Sequence, residues 1–395
     1  MYKKFLKTKY VVFFCFCLFF LLSSIFSCSY AVKISDGEEG FFRTGNMHYA
    51  RSGHRAILLK DGRVLIVGGR EGGGGEEASW TTEIYDPKTQ TFSLGPKLNF
   101  RKYFTSLLYL CEDGKVLIFP STFPYSKQNK KEVDLARTVE VYDPKTNTIS
   151  LGAKFPEDTS FPAMPGMSWK YYIIELNKNT LLLQNNEKLA FLYNPKDHTW
   201  KETDRLIDYS YYSYLKELHN DNEKLIFLAS DDGVLCVDKK TLKSSVYKIP
   251  GATYYNDYKT GIEINQGKFL ILAANSSWNS VEKKSYHKYK SAIFDLNNGS
   301  FSMIESDIIN MGFVNEILTI KRKENDIVMV KKVYPVNHDP LFGFDTTKNE
   351  FYKKTYMTPT GAGNFIQLKD GTYLYTGGST GAGWFSPTKK AYIFK

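Results

Sequence analysis

ARSGHRAILLKDGRVLIVGG (residues 50–69), followed after a glycine-rich stretch by TTEIYDPKTQTFSL (residues 81–94), decides the fold of this chain. Short apolar runs at 56–59, 64–67 and 82–85 are each cut off by turn chemistry. Asp61-Gly62 supplies the positive φ angles of a two-residue hairpin. Asp86-Pro87 sets the first corner of a type I turn, with aspartate as acceptor and proline fixing φ. A fourth run at 91–94 completes a four-stranded antiparallel meander. One meander of this size cannot bury both faces, so it calls for copies of itself.

The copies follow in order. YDPKTQTFSLG (85–95) returns as YDPKTNTISLG (142–152), and Asp113-Gly114 repeats the first hairpin. Third to sixth copies keep the strand order with weaker turns, at Asn194-Pro195, at 238–241, and in the spans 261–304 and 316–353. The last copy, from Phe365 through Asp370-Gly371 and Gly377-Gly378 to residues 390–394, has three strands. A spare strand stands at the other end of the chain, at 40–47. It is expected to pair into the final unit, close a ring and remove open sheet edges. Seven meanders over residues 32–395 give roughly 52 residues per unit, near the ~50 of one repeat class.

These residues resemble the kelch-repeat β-propeller family, of the galactose oxidase/kelch type, across residues 40–395. The likeness is carried by Gly68-Gly69 and Gly377-Gly378 after second strands and by the YDPKT turns after third strands. No Trp-Asp pair closes a unit, which sets aside the WD-repeat propellers. The expected fold is an all-β, seven-bladed propeller of four-stranded blades, with the N-terminal strand completing the last blade.

Residues 1–31 stand apart. Lys3, Lys4, Lys7 and Lys9 precede an apolar run of about a dozen residues and a cluster of small ones, the order of a secretory signal. The run is shorter than the roughly 20 residues of a spanning helix. An uncleaved anchor is the competing reading. Ser29-Tyr30-Ala31 fits an ordinary cleavage site, whereas the residues ending at Cys28 resemble a lipobox, with Phe26 a poor fit. The protein is thus expected outside the cytoplasm: periplasmic, secreted, or tethered to a membrane through lipidated Cys28.

The formal charge of +10 falls to about +6 without the four leader lysines. The positive charges are scattered, which argues against a nucleic-acid partner. Only Cys111 and Cys236 remain beyond the leader region, in non-adjacent units, so neither a disulfide scaffold nor a cysteine metal site is expected.

The resemblance implies that first strands line a central channel. It also implies that the connections entering them share one face with those between second and third strands. The latter are long here, at 70–80, 120–137, 275–290, 331–340 and 379–387. Such loops carry binding surfaces, and Trp80, Trp278 and Trp384 are the leading aromatic contacts, with Tyr125, Tyr286 and Tyr334 beside them. Arg51, His54, Arg101 and Glu263, with Asn315 and Asn364, are polar residues at or beside first strands. They define a channel-mouth site for an anionic or sugar ligand, and Arg101 is aligned with Arg51.

Two enzyme types share the repeat. Copper oxidases of the galactose oxidase kind need clustered histidines and tyrosines, and the six histidines here are dispersed. Sialic-acid mutarotases (N-acetylneuraminate epimerases) would use Arg51 or Arg101 on the carboxylate and Glu263 for proton transfer. Gly72–Gly75 lacks the Lys-Ser/Thr and helix of a phosphate loop, and the Asp/Asn turns lack calcium-loop spacing. The expectation is a monomeric, non-enzymatic module without metal or cofactor, binding a protein or glycan through its long-loop face. The alternative is a sugar-processing enzyme of the epimerase kind.

Overall fold

A computed structural model describes residues 40–71, 79–101, 107–120, 134–155, 172–184, 190–203, 215–229, 233–250, 259–279, 284–304, 316–323, 326–332, 341–354, 363–379 and 386–395. The leader, Cys28, Trp384, Tyr125, Tyr334 and Asn315 lie outside them, so their proposed roles are not addressed by the fold.

The chain is an all-β propeller of four-stranded antiparallel blades. Among the described residues the strands form seven four-stranded sheets and one two-stranded sheet. The first blade consists of Arg55–Leu58, Val64–Val67, Thr82–Asp86 and Thr91–Leu94 in meander order. In the last sheet, Phe41–Arg43 pairs antiparallel with Ala391–Phe394, Phe41 opposite Phe394. Phe41 also meets Phe365 and Tyr375 edge to face, at ring-centroid distances of 5.7 and 6.0 Å.

Period-2 geometry explains why second strands read as unbroken apolar runs. Val64 and Ile66 face the last blade, where they pack with Met47, Tyr85, Leu374 and Ile393. Leu65 and Val67 face the second blade and meet Val116, Ile118 and Tyr142. The first sheet is therefore buried on both faces, the condition a lone meander cannot meet. Equivalent layers join blades two to three, three to four, four to five and five to six. The side chains that would join the sixth to the last sheet fall outside those described. First strands approach one another, as Asn364–Gln367 does Arg55–Leu58 and Lys259–Asn265 does Glu316–Lys323, which puts them innermost.

The turns repeat one device. After the third strand an aspartate or asparagine side chain accepts the amide two or three residues on, as Asp86 does from Lys88 (2.9 Å) and Asp238 from Thr241 (2.7 Å). The turn then closes through a left-handed residue: Gln90, Asn147, His198, Leu242, Gly299 or Asn349, all with φ between 53° and 69°.

Two expectations are corrected. The Asp-Gly hairpins are not two-residue turns. Leu59 N donates to Arg63 O (2.8 Å) and Gly62 N to Leu59 O (3.0 Å), with Gly62 at φ 93° and Asp61 outside the left-handed region. This is a three-residue loop ending in a left-handed glycine. Asp61 serves as acceptor for Arg63 N (2.9 Å). The fifth blade's long connection is no irregular loop either. Lys268–Asn279 and Lys284–Asp295 stay paired from Lys268↔Asp295 out to Asn279↔Lys284, forming a ribbon that runs on past the other strands of the blade.

Candidate functional site

Three polar constellations arise from the residues singled out in sequence, and they lie in three places. The first is the seam between the last and first blades. Arg51 and Ser52 pair with Arg70–Glu71 in the two-stranded sheet. Arg51 N also donates to Thr388 O (3.2 Å), and Gly378 N to Arg51 O (2.9 Å). Both double glycines are left-handed, with φ 63° and 94° at Gly68-Gly69 and 61° and 92° at Gly377-Gly378. A Cβ on Gly69 would stand 2.8 Å from the Cβ of His54, and one on Gly377 2.4 Å from Arg51 O. The glycines thus make room for residues 51–54 to thread between two blades.

Arg51 is fully buried there. Its guanidinium forms a 2.8 Å ion pair with Glu83, itself fully buried, and donates to Gly68 O (2.8 Å) and Thr81 Oγ1 (2.9 Å). His54 is 2% exposed with Nε2 2.7 Å from Thr376 Oγ1, and Asn364 Nδ2 donates to His54 O (3.3 Å). The channel-mouth placement of Arg51 and His54 is therefore corrected. They clamp the seam and present no surface to a ligand.

The second constellation lies where the first blade's second-to-third connection meets the segment entering the second blade. Trp80 O accepts from Leu98 N (2.9 Å), and the half-buried indole packs 6.3 Å from the Phe100 ring. Lys97 Nζ lies 5.2 Å and Arg101 Cζ 5.3 Å from the indole centroid. Arg101 does not repeat Arg51. The carboxylate in Glu83's place, Glu140, accepts the amides of Asn99 and Phe100 and the side chain of Asn99 (2.7, 3.4 and 3.0 Å). Arg101 sits instead against Trp80. Trp278 lies on the fifth-blade ribbon, opposite Ser285.

The third lies at the other end of the innermost strands. Glu263 is two residues from the end of Lys259–Asn265 and beside the first hairpin of blade five, where its Oε1 accepts Gly267 N (3.0 Å). His219 of the neighbouring blade bridges two carboxylates, Nδ1 2.8 Å from Glu263 and Nε2 2.9 Å from Asp221. Burial opposes a charge on His219, but hydrogen bonds and attraction from Asp221 and Glu263 outweigh it and raise its pKa. The hydrogen bond from His219, with the amides of Lys224 and Glu223, holds Asp221 down at about 2. Arg51, in the two-stranded sheet, and Arg101 both precede first strands, whereas Glu263 lies near the end of one, so neither arginine is brought to Glu263 as an epimerase-like site requires.

Sequence reasoning missed Glu83, Glu140, Lys97 and His219. The first two had a signal: a carboxylate inside a third-strand run, two residues before the tyrosine of both YDPKT turns. Cys111 is buried and Cys236 half-buried, both free, with burial pushing the thiols up to about 12 and about 11.

No protein-family model and no curated protein matches the sequence. Among solved structures, the chain is similar to a fungal alcohol oxidase of the AA5 family, in complex with copper. The TM-score is 0.60 at 12% identity, over 90% of this chain and 76% of that one. The donor set was compared with that metal. His48, His54, His198 and His219 bind four different partners (Phe92 O, Thr376, Tyr193 and a carboxylate pair) in different blades. Among the described residues no three His, Cys, Asp or Glu side chains gather as metal ligands, so these residues do not fit a copper centre. The likeness to the oxidase is one of fold, a β-propeller in both.

Proposed function

We propose that this chain is an exported kelch-type propeller whose seven sheets form one closed ring. It binds a protein or glycan partner on the rim that carries its second-to-third-strand connections. Residues 1–31 serve as the export signal, and Cys28 is the lipid attachment point if the lipobox is used. The observation that carries the binding role is the fifth-blade ribbon. It continues the pairing out to Asn279↔Lys284, past the other strands of its blade, and so offers a projecting edge. Arg51 and His54, at the seam, are buried and offer no such surface.

The test is capture of a partner from envelope extract, together with a glycan array. The comparison is a variant in which residues 275–288 are replaced by an Asn-Gly turn. Loss of capture with an unchanged melting temperature is expected; retained capture would remove the rim from the reading. The protein should also leave the anomer exchange of N-acetylneuraminate at its uncatalysed rate in proton NMR. Acceleration would put the epimerase-like alternative in its place.

A further inference from the structure

The segment entering the second blade bends at Asn99-Phe100 and alternates inward and outward. Leu98 and Phe100 are buried, whereas Lys97 and Asn99 are exposed and Arg101 half-exposed. Leu98 is fixed twice, by its amide bond to Trp80 O and by its place in the layer between blades one and two. The backbone that carries Lys97 and Arg101 is therefore held by packing, and both cations are set against one indole. Neither lies within ion-pair distance of a carboxylate among the described residues. Nearby Glu140 is engaged by Asn99 and Phe100, and Glu83 by Arg51. Two like charges set against one aromatic ring, with no carboxylate among the described residues paired to them, favour an anion that joins them. A π-face attracts a cation but does not neutralise it.

We propose that Trp80, Lys97 and Arg101 form a subsite for an acidic polysaccharide. Its carboxylate or sulfate group lies between Lys97 and Arg101, and the C–H face of the sugar rests on the exposed part of the indole. The aromatic surface is what favours a sugar acid over an acidic peptide, which needs only the cations. This names the ligand class for the rim reading above and rests on it.

The test uses the whole protein with polygalacturonate, dextran sulfate, uncharged dextran and poly-glutamate as probes, followed by calorimetry and tryptophan fluorescence at low and high salt. Binding of one or both acidic polysaccharides, weakening with salt, is expected, and which one binds separates carboxylate from sulfate. Uncharged dextran should not bind. Lys97→Glu with Arg101→Glu should weaken binding at least tenfold, as should Trp80→Ala, with melting temperatures unchanged. If Trp80→Ala fails to fold, the two charge reversals decide alone. The proposal is overturned by wild-type affinity in the double charge reversal, or by no binding of either polysaccharide. It is also overturned by poly-glutamate binding that is as tight and insensitive to Trp80→Ala. Partner capture that depends on the ribbon but not on these three residues would leave the rim reading standing and remove the subsite.

Discussion

Leu242 occupies a left-handed position, φ 56°, where its counterparts in other blades are Gln90, Asn147, His198, Gly299 and Asn349. A leucine there carries a backbone cost that asparagine or glycine largely avoids. Leu242→Asn should raise stability by about 0.5–1 kcal/mol in urea unfolding. The opposite is expected in the seam. Gly377→Ala adds a Cβ against Arg51 O at a positive φ and should cost more than about 1 kcal/mol. Glu83→Gln leaves the buried Arg51 guanidinium with only the more distant Glu71, 3.9 Å away, as counter-charge and should cost about 3 kcal/mol. The glycine pairs were legible in the sequence as kelch-like punctuation, but what they make room for was not. Gly69 and Gly377 flank the same His54 from positions about 300 residues apart.

Between elements, the His219 bridge joins the innermost strands of blades four and five, and its contribution depends on pH. The folded-state pKa of His219 is raised, so its stabilising effect is present below the unfolded value near 6.5 and is lost as pH rises through the folded value. Asp221 is depressed to about 2, so its share is present above the ordinary value near 3.8 and is lost as pH falls towards 2. The bridge is strongest between those limits. His219→Gln should therefore lower the melting temperature around pH 5–6 and converge on the wild type in mild alkali, as followed by circular dichroism across pH. Glu263 was legible as a polar residue on an inner strand. Its partner was not, because His219 belongs to another blade and its distance along the chain says nothing about register between blades.

At the scale of the molecule, the strand Phe41–Arg43 supplies the outermost position of the last sheet from the opposite end of the chain. Phe41 packs on Phe394 with centroids 4.9 Å apart. Phe41→Asp should cost roughly 2 kcal/mol from lost apolar burial. It should also leave the edge of Ala391–Phe394 open to association. Thermal unfolding and light scattering together check both outcomes, and an unchanged melting temperature would show that the strand contributes little to the fold.

The sequence by itself determined the meanders, their order and most of their turns. A left-handed turn residue, an aspartate accepting an amide two residues on and a period-2 apolar run are all set by residues a few positions apart. Tertiary structure decided which polar side chains remain available. Arg51 and Arg101 look alike in the chain, yet one is buried against Glu83 between two glycine pairs and the other lies half-exposed on Trp80. Burial and charge pairing sum over residues from different blades, and no local pattern contains that sum.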